Sequence, residues 1–348
     1  MAFRVVLTGG IKWYYFSNVD NYSVFNNCFF SVIFVAMISE KKSWIYLIML
    51  SLIWGSSFIL MKKGMYTSSG EIIFSNTQVA SLRMIIATVA LLPFAIYSIR
   101  KIQSVKKFAL LTMVGVCGNF LPAFLFAYAV TGISSGYTGM LNSFTPIFAI
   151  LIGLVIFKEK LNRLQYVGIG VGTIGIVLLM LAGSNLSISG NATHLFAVVV
   201  ATFCYGLSLN VIKKTLSDLK SFEITSLSFL IVFLPSVIIG FNSGALQTIQ
   251  ENEFATQGFI YIVILSVVGT AFALIIFNKL VAISTVVFTS SVTYLIPVVA
   301  MLIGIYFGEI INFWQIASMF IILFGVFITN YLGKKKKQQG ILKNNGVK

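Results

Sequence analysis

Long, uninterrupted apolar runs separated by short polar connections recur along this chain, and sustained apolar/polar alternation is absent. A helix needs about 20 apolar residues to cross a bilayer core, whereas the strands of a membrane β-barrel alternate. The pattern therefore predicts an all-α integral membrane protein with ten helices, near 44–62, 78–98, 108–130, 137–157, 164–183, 194–212, 224–242, 256–277, 284–307 and 313–332.

The composition sharpens this reading. Hydrophobic residues make up 58% of the 348 and charged residues 9%, with mean hydropathy +0.97; soluble domains carry about 25% charged residues. A net charge of +15 would indicate nucleic acid in a soluble protein, but here the basic residues lie in the connections and report topology. Arg100, Lys101, Lys106 and Lys107 follow the second predicted span, Lys158, Lys160 and Arg163 the fourth, Lys213, Lys214 and Lys220 the sixth, and Lys279 the eighth. Connections after odd-numbered spans carry Glu71, Glu251, Glu253 and Glu309, with Lys62 and Lys63 as the exception. With Lys41 and Lys42 before the first span and Lys334–Lys337 after the last, both termini are expected in the cytoplasm, and the location is expected to be the cytoplasmic membrane of a bacterium.

Residues 1–36 differ from the rest. They are rich in Asn, Phe and Tyr, and their apolar stretch, 24–38, is interrupted by Asn26 and Asn27. Because Met37 directly precedes the first span, the expectation is a disordered or non-native extension. Cys28, Cys117 and Cys204 give neither a disulfide framework nor metal-ligand spacing, so inert thiols are expected.

Sliding the chain by 151 residues reveals an internal repeat. WGSSFILMKKG (54–64) lies over YGLSLNVIKKT (205–215), pairing Gly55 with Gly206, Ser57 with Ser208 and Lys62 with Lys213. NSFTPIFAILIG (142–153) lies over TYLIPVVAMLIG (293–304), pairing Pro146 with Pro297, and Glu159 matches Glu309 at a shift of 150. Two halves result, 37–183 and 184–332, followed by a basic tail, 333–348. Five spans per half is an odd number, so the second half is expected upside down, as in the inverted repeats of secondary transporters.

WGSSFILMKKG, LRMIIATVALLP (82–93), the Pro-x-x-Ala-x-x-x-Gly pattern at Pro146 and Pro297, and the acid closing the fourth and ninth spans resemble the drug/metabolite transporter superfamily, specifically its EamA-like group. The resemblance covers 44–332. It implies a basket-shaped bundle of ten transmembrane helices in two inverted five-helix repeats. Spans 1, 3, 4, 6, 8 and 9 would surround a central cavity, with spans 2 and 7 flanking it. It also implies export or exchange of amino acids or other small metabolites.

No carboxylate pair, activated nucleophile or metal cluster lies in the spans, so an enzyme is not expected, and neither a cofactor nor a metal is called for. The four-helix branch of the superfamily uses a glutamate in its first helix for protons and cationic drugs; the first span here contains no acid, which favours neutral, zwitterionic or anionic solutes. His194, the single histidine, falls at a span end.

Arg83 is the one charge clearly inside a span; it either contacts solute or anchors the helix at the interface. Asn142 and Ser143 share a stripe with Gly139, Pro146 and Gly153, and Tyr294 shares the equivalent stripe with Ser290, Pro297 and Gly304. Small residues permit close packing, but the polar members would lack partners against lipid. The prolines leave the carbonyls of Asn142 and Thr293 without their helical donors, making Pro146 and Pro297 candidate hinges. Trp54 and Tyr205 occupy matched positions deep in spans 1 and 6, suited either to packing or to lining a cavity. Asn119, Asn210 and Asn278 are further amides in need of partners, Asn119 lying nearest mid-span.

The expected solute-binding set is thus Trp54, Arg83, Asn119, Asn142, Ser143, Tyr205 and Tyr294. The expected partners are a small-molecule solute and the lipid bilayer, without nucleic acid, for a monomer or homodimer. Outward movement of a metabolite is the leading reading. Import of a sugar or nucleoside-like solute and a non-transporting scaffold or sensor are the alternatives.

Overall fold

The computed structural model describes residues 2–7, 10–15, 22–158, 163–182, 188–283 and 292–328. The chain divides into two compact units, Met1–Ile45 and Tyr46–Lys348. In the first, strands β1 (Ala2–Leu7) and β2 (Gly10–Tyr15) pair antiparallel, with Ala2 opposite Tyr15 and Leu7 opposite Gly10. Helix α1 (Tyr22–Met65) follows, beginning within residues 1–36.

The remaining elements are helical: α2 (Asn76–Ser98), α3 (Val105–Gly115), α4 (Leu121–Gly132), α5 (Ser135–Leu141), α6 (Phe144–Val155), α7 (Arg163–Ala182), α8 (Ile188–Thr215), α9 (Ser221–Asn242), α10 (Ala245–Glu251), α11 (Ala255–Ser266), α12 (Ala273–Ile283), α13 (Val292–Tyr306) and α14 (Phe313–Phe327). Among the described residues, seven stretches are long and apolar enough to cross a membrane: Ser43–Met65, Asn76–Lys101, Val105–Gly132, Ser135–Val155, Ala192–Thr215, Ser221–Asn242 and Ala255–Phe277. Arg163–Leu179, Leu295–Tyr306 and Phe313–Gly325 are apolar but shorter.

Local chemistry fixes the helix starts. At α2 a capping box closes on itself: Ser75 Oγ accepts from Gln78 N at 3.2 Å, while Gln78 Oε1 accepts from Ser75 N at 2.9 Å. The same amide reaches across to donate to Ser243 O at 2.8 Å, tying the start of α2 to the end of α9. Asn312 and Gln315 cap α14 in the same way, and Asn312 Nδ2 donates to Ala182 O at 2.9 Å, at the end of α7. The helices flanked by these ties, α2 with α9 and α7 with α14, pack along much of their lengths.

Two irregularities shape the interior. A π-helical turn, Val116–Phe120, joins α3 to α4, and a second, Val267–Phe272, joins α11 to α12. Shifted by 151 residues, the first falls on the second. Between α5 and α6 the fourth predicted span breaks at Asn142–Ser143, just before Pro146. In the ninth, the described part, α13, runs continuously through Pro297.

Candidate functional site

A cavity of ≈ 230 Å³ opens among α1, α2, α8, α9, both π turns and the α5–α6 junction. Its wall repeats itself under the 151-residue shift. Trp54 and Tyr205, Ser57 and Ser208, Phe58 and Leu209, Met61 and Ile212, Gly118 and Gly269, Asn119 and Thr270, Phe126 and Phe277, and Thr145 and Ile296 all line it as matched pairs.

The contacts between these pairs are reciprocal. Trp54 packs on Phe277 with ring centres 5.3 Å apart, and Tyr205 stacks on Phe126 at 5.8 Å. A Cβ placed on Gly269 would meet Ser57 Oγ at 3.2 Å, and one on Gly118 would overlap Ser208 Oγ. Glycine at these two positions lets α1 approach one π turn and α8 the other.

The π turns explain why polar groups gather here. In the second turn the Ala273 N–H reaches back five residues to Val268 O and bypasses Gly269 O. That carbonyl accepts instead from Trp54 Nε1 at 3.1 Å. In the first turn Leu121 N–H likewise reaches Val116 O. Asn119, carried by this turn, donates from Nδ2 to Ser228 Oγ at 3.4 Å.

Arg83 lies in the cavity wall, half-buried, with Nε donating to Thr270 Oγ1 at 3.0 Å. No Asp or Glu lines the cavity among the described residues. Asn142 also lines it, its Oδ1 accepting from Thr145 Oγ1 at 3.3 Å.

At one end of α1 the Glu309 carboxylate is 6% exposed and held by four donors: Ser135 N at 2.9 Å, Ser135 Oγ at 2.6 Å, Gly136 N at 2.7 Å and Lys62 Nζ at 3.1 Å. Burial pushes its pKa up, but the bonds from Ser135 and Gly136, with the Lys62 charge, outweigh burial and hold it below the ordinary glutamate value. This clasp joins α1, the start of α5 and the segment between α13 and α14. It borders a second hollow of ≈ 290 Å³, where Lys63 sits 4.2 Å from the Phe307 ring centre.

A single family model, the EamA-like transporter family, matches residues 41–181 and again 192–331. The chain belongs to this family. The chain is similar to an uncharacterized transporter, YdfC, of Bacillus subtilis, 22% identical over 82% of this chain and 94% of that protein. A probable terminal-alkyne amino-acid exporter of Streptantibioticus cattleyicolor is 22% identical over 78% of this chain and 87% of its own length. An uncharacterized inner membrane transporter, YedA, of Escherichia coli is 23% identical over 82% of this chain and 89% of its own length. A solved crystal structure, 11% identical, shares the fold with TM-score 0.55 over 85% of this chain and 99% of the other.

Of the residues singled out in this EamA-like sequence, Trp54, Arg83, Asn119, Asn142 and Tyr205 meet at the cavity. Ser143 does not: it is buried in the α5–α6 break, where its hydroxyl donates to Met140 O at 2.6 Å. The expected open carbonyl at Asn142 is also corrected, because a tighter turn lets Thr145 N donate to it at 3.1 Å. Asn210 is consumed in packing, donating to Ala149 O and Gly206 O, both at 2.8 Å. Pro146 and Pro297 are both buried. The side chains of Tyr294 and Asn278, and residues Glu159 and Ser290, lie outside the described residues.

Sequence reading missed Thr270, Gly118, Gly269 and the Glu309 clasp. The first three carried a signal, since the 151-residue shift already places Gly118 on Gly269 and Asn119 on Thr270.

Proposed function

We propose that this chain is a permease of ten spans, arranged as two inverted five-helix repeats, that moves a small metabolite outward across the cytoplasmic membrane by alternating access. The observation that carries this reading is the cavity wall built from matched residues of the two halves. Inverted repeats place their substrate site between the halves, so that rocking one against the other exposes it to each side in turn. The exporter named among the relatives supports the direction and an amino-acid-like solute.

The orientation follows from charge. The cavity reaches Ile212, Ser221 and Thr225, beside the cluster Lys213, Lys214 and Lys220. Basic connections stay in the cytoplasm, so the cavity opens inward and the Glu309 clasp closes the outer end. The α5–α6 break before Pro146 is the hinge of this scheme, and Pro297 in α13 its counterpart.

Comparing metabolites released by cells that produce the wild-type chain with those producing Asn119→Leu tests the function. A solute class exported by the wild type and retained at least tenfold more by the variant, at equal protein amount, is the expected result. Identical release from both would remove the reading. Topology is checked separately: reporters after Lys107 and after Lys337 should stay cytoplasmic, and one in the 184–193 loop should lie outside. Labelling of that loop from the inside alone would overturn the inverted-repeat frame.

With no acid in the described cavity wall and His194 stacked on Tyr128 at 4.4 Å beside Thr131, a titrating group exposed alternately to both sides is missing from the cavity. Flux in proteoliposomes should follow the solute gradient and, for a charged solute, the membrane potential. Uphill accumulation driven by an imposed pH difference and abolished by His194→Ala would make His194 the coupling residue instead.

A further inference from the structure

We propose that the cavity binds a small organic monocarboxylate, whose oxygens are clamped by the two terminal nitrogens of Arg83. The inference rests on the permease reading and names the substrate class of its site.

The charge of Arg83 has no charged counterpart. The N-caps Ser75 and Lys220 set α2 and α9 145 residues apart, so the position of Arg83 in the second half is taken by Ser228, which lines the cavity and accepts from Asn119 as Thr270 accepts from Arg83. A charge required merely to build this helix pair would have a counterpart; a charge required by an asymmetric solute would not. The guanidinium is also oriented. Thr270 Oγ1 donates to Leu265 O at 3.1 Å, so its lone pair is left to accept from Arg83 Nε at 3.0 Å. That bond fixes one edge of the planar fork. The terminal nitrogens have no protein partner among the described residues, yet they are not sealed in, since Ser98 Oγ is the single buried side-chain polar atom there without a partner. They face space that a ligand can fill.

A planar fork matches a carboxylate through two parallel hydrogen bonds. Arg83 is the one formal charge in the described wall, so it neutralises one negative charge; a phosphate monoester, with about −1.5 to −2 near pH 7, would be left undercompensated. The rest of the site fits an apolar body, with Trp54, Phe126, Tyr205 and Phe277 around it and Asn119 beside it. The volume of ≈ 230 Å³ lies below the roughly 300–1,000 Å³ of pockets for drug-sized ligands, which limits the solute to amino-acid size.

Thermal stabilisation of the purified, detergent-solubilised chain tests this with matched acid and amide probes: 3-phenylpropionate against 3-phenylpropanamide, L-phenylalanine against L-phenylalaninamide, and L-leucine against L-leucinamide. At least one acid should raise the unfolding midpoint where its amide does not. Arg83→Gln should lose that shift. Arg83→Lys, which keeps the charge without the fork, and Thr270→Val, which frees the fork's edge, should each weaken binding about tenfold while eluting as monodisperse protein. Equal shifts from acid and amide, no shift from any acid, or a full shift in Arg83→Gln overturns the proposal. Flux of the binding acid into proteoliposomes is measured separately: binding without flux would remove the permease reading and leave the carboxylate site standing.

Discussion

Glu309→Gln is expected to unseal the end of the cavity that the clasp closes, the outer end in the proposed orientation. The wild-type carboxylate takes four donors at 2.6–3.1 Å, two of them backbone or side-chain groups of Ser135 and one the Gly136 N–H. Gln offers one acceptor oxygen where the carboxylate offers two, and its NH₂ points a donor at a donor. Lys62 is 39% exposed and is rehydrated when its partner is lost, so the main cost is that of the Ser135 and Gly136 donors left without an acceptor, about 1–3 kcal/mol for each one unsatisfied. A cysteine introduced at Ser57, in a background without Cys28, Cys117 and Cys204, reports access. A membrane-impermeant maleimide added outside should label it at least tenfold faster in Glu309→Gln. A lower unfolding midpoint with unchanged labelling would make Glu309 a structural cap and not a gate. The clasp also has a definite pH response. A carboxyl held below its ordinary value contributes stability above the unfolded carboxylate range and loses it as pH falls through the folded value. Closure should therefore persist through neutral and mildly acidic pH and fail under strong acid.

How much of this was legible in the sequence depends on the range of the interaction. Helix-forming apolar runs are local, so each predicted span has a helix among the described residues, and the capping residues Ser75 and Asn312 mark two of the starts. The 151-residue shift already paired Trp54 with Tyr205, and polar residues deep in apolar spans flagged Arg83, Asn119 and Asn142. What failed to show was register and turn geometry. Ala273 N–H bypasses Gly269 O, and the donor that satisfies that carbonyl is Trp54 Nε1, 215 residues away in the chain. Ser143 was misplaced because stripe arguments assume a continuous helix, and the helix breaks at that residue. The clasp escaped notice for a similar reason: Glu309 meets its main donors 174 residues away, a distance that no periodicity encodes.

Gly325→Val should be the most damaging single change to folding. Helices in lipid gain nothing by burying apolar surface against one another, so their pairing depends on backbone approach. At the crossing of α7 and α14 a Cβ on Gly325 would overlap Gly172 N and lie 2.7 Å from both Gly168 O and Gly172 Cα. On the facing helix, a Cβ on Gly175 would lie 2.8 Å from Ile322 N. These obstacles are backbone atoms, which cannot rotate aside as a side chain can. Overpacking a fitted core costs roughly 1–3 kcal/mol and occasionally more; because a whole helix must shift here, the upper end or beyond applies. The Asn312 tie to Ala182 O at 2.9 Å holds one end of the same pair and resists the separation. Gly170→Ala is the matched control, since it lies on α7 and nothing stands within 4 Å of its added Cβ. Size-exclusion chromatography in mild detergent should show Gly325→Val largely aggregated or degraded and Gly170→Ala at wild-type yield. If Gly325→Val elutes as monodisperse protein with an unchanged unfolding midpoint, α7 and α14 do not pack as closely as described. If instead both variants collapse, α7 is sensitive to any loss of glycine and the crossing itself is not the cause.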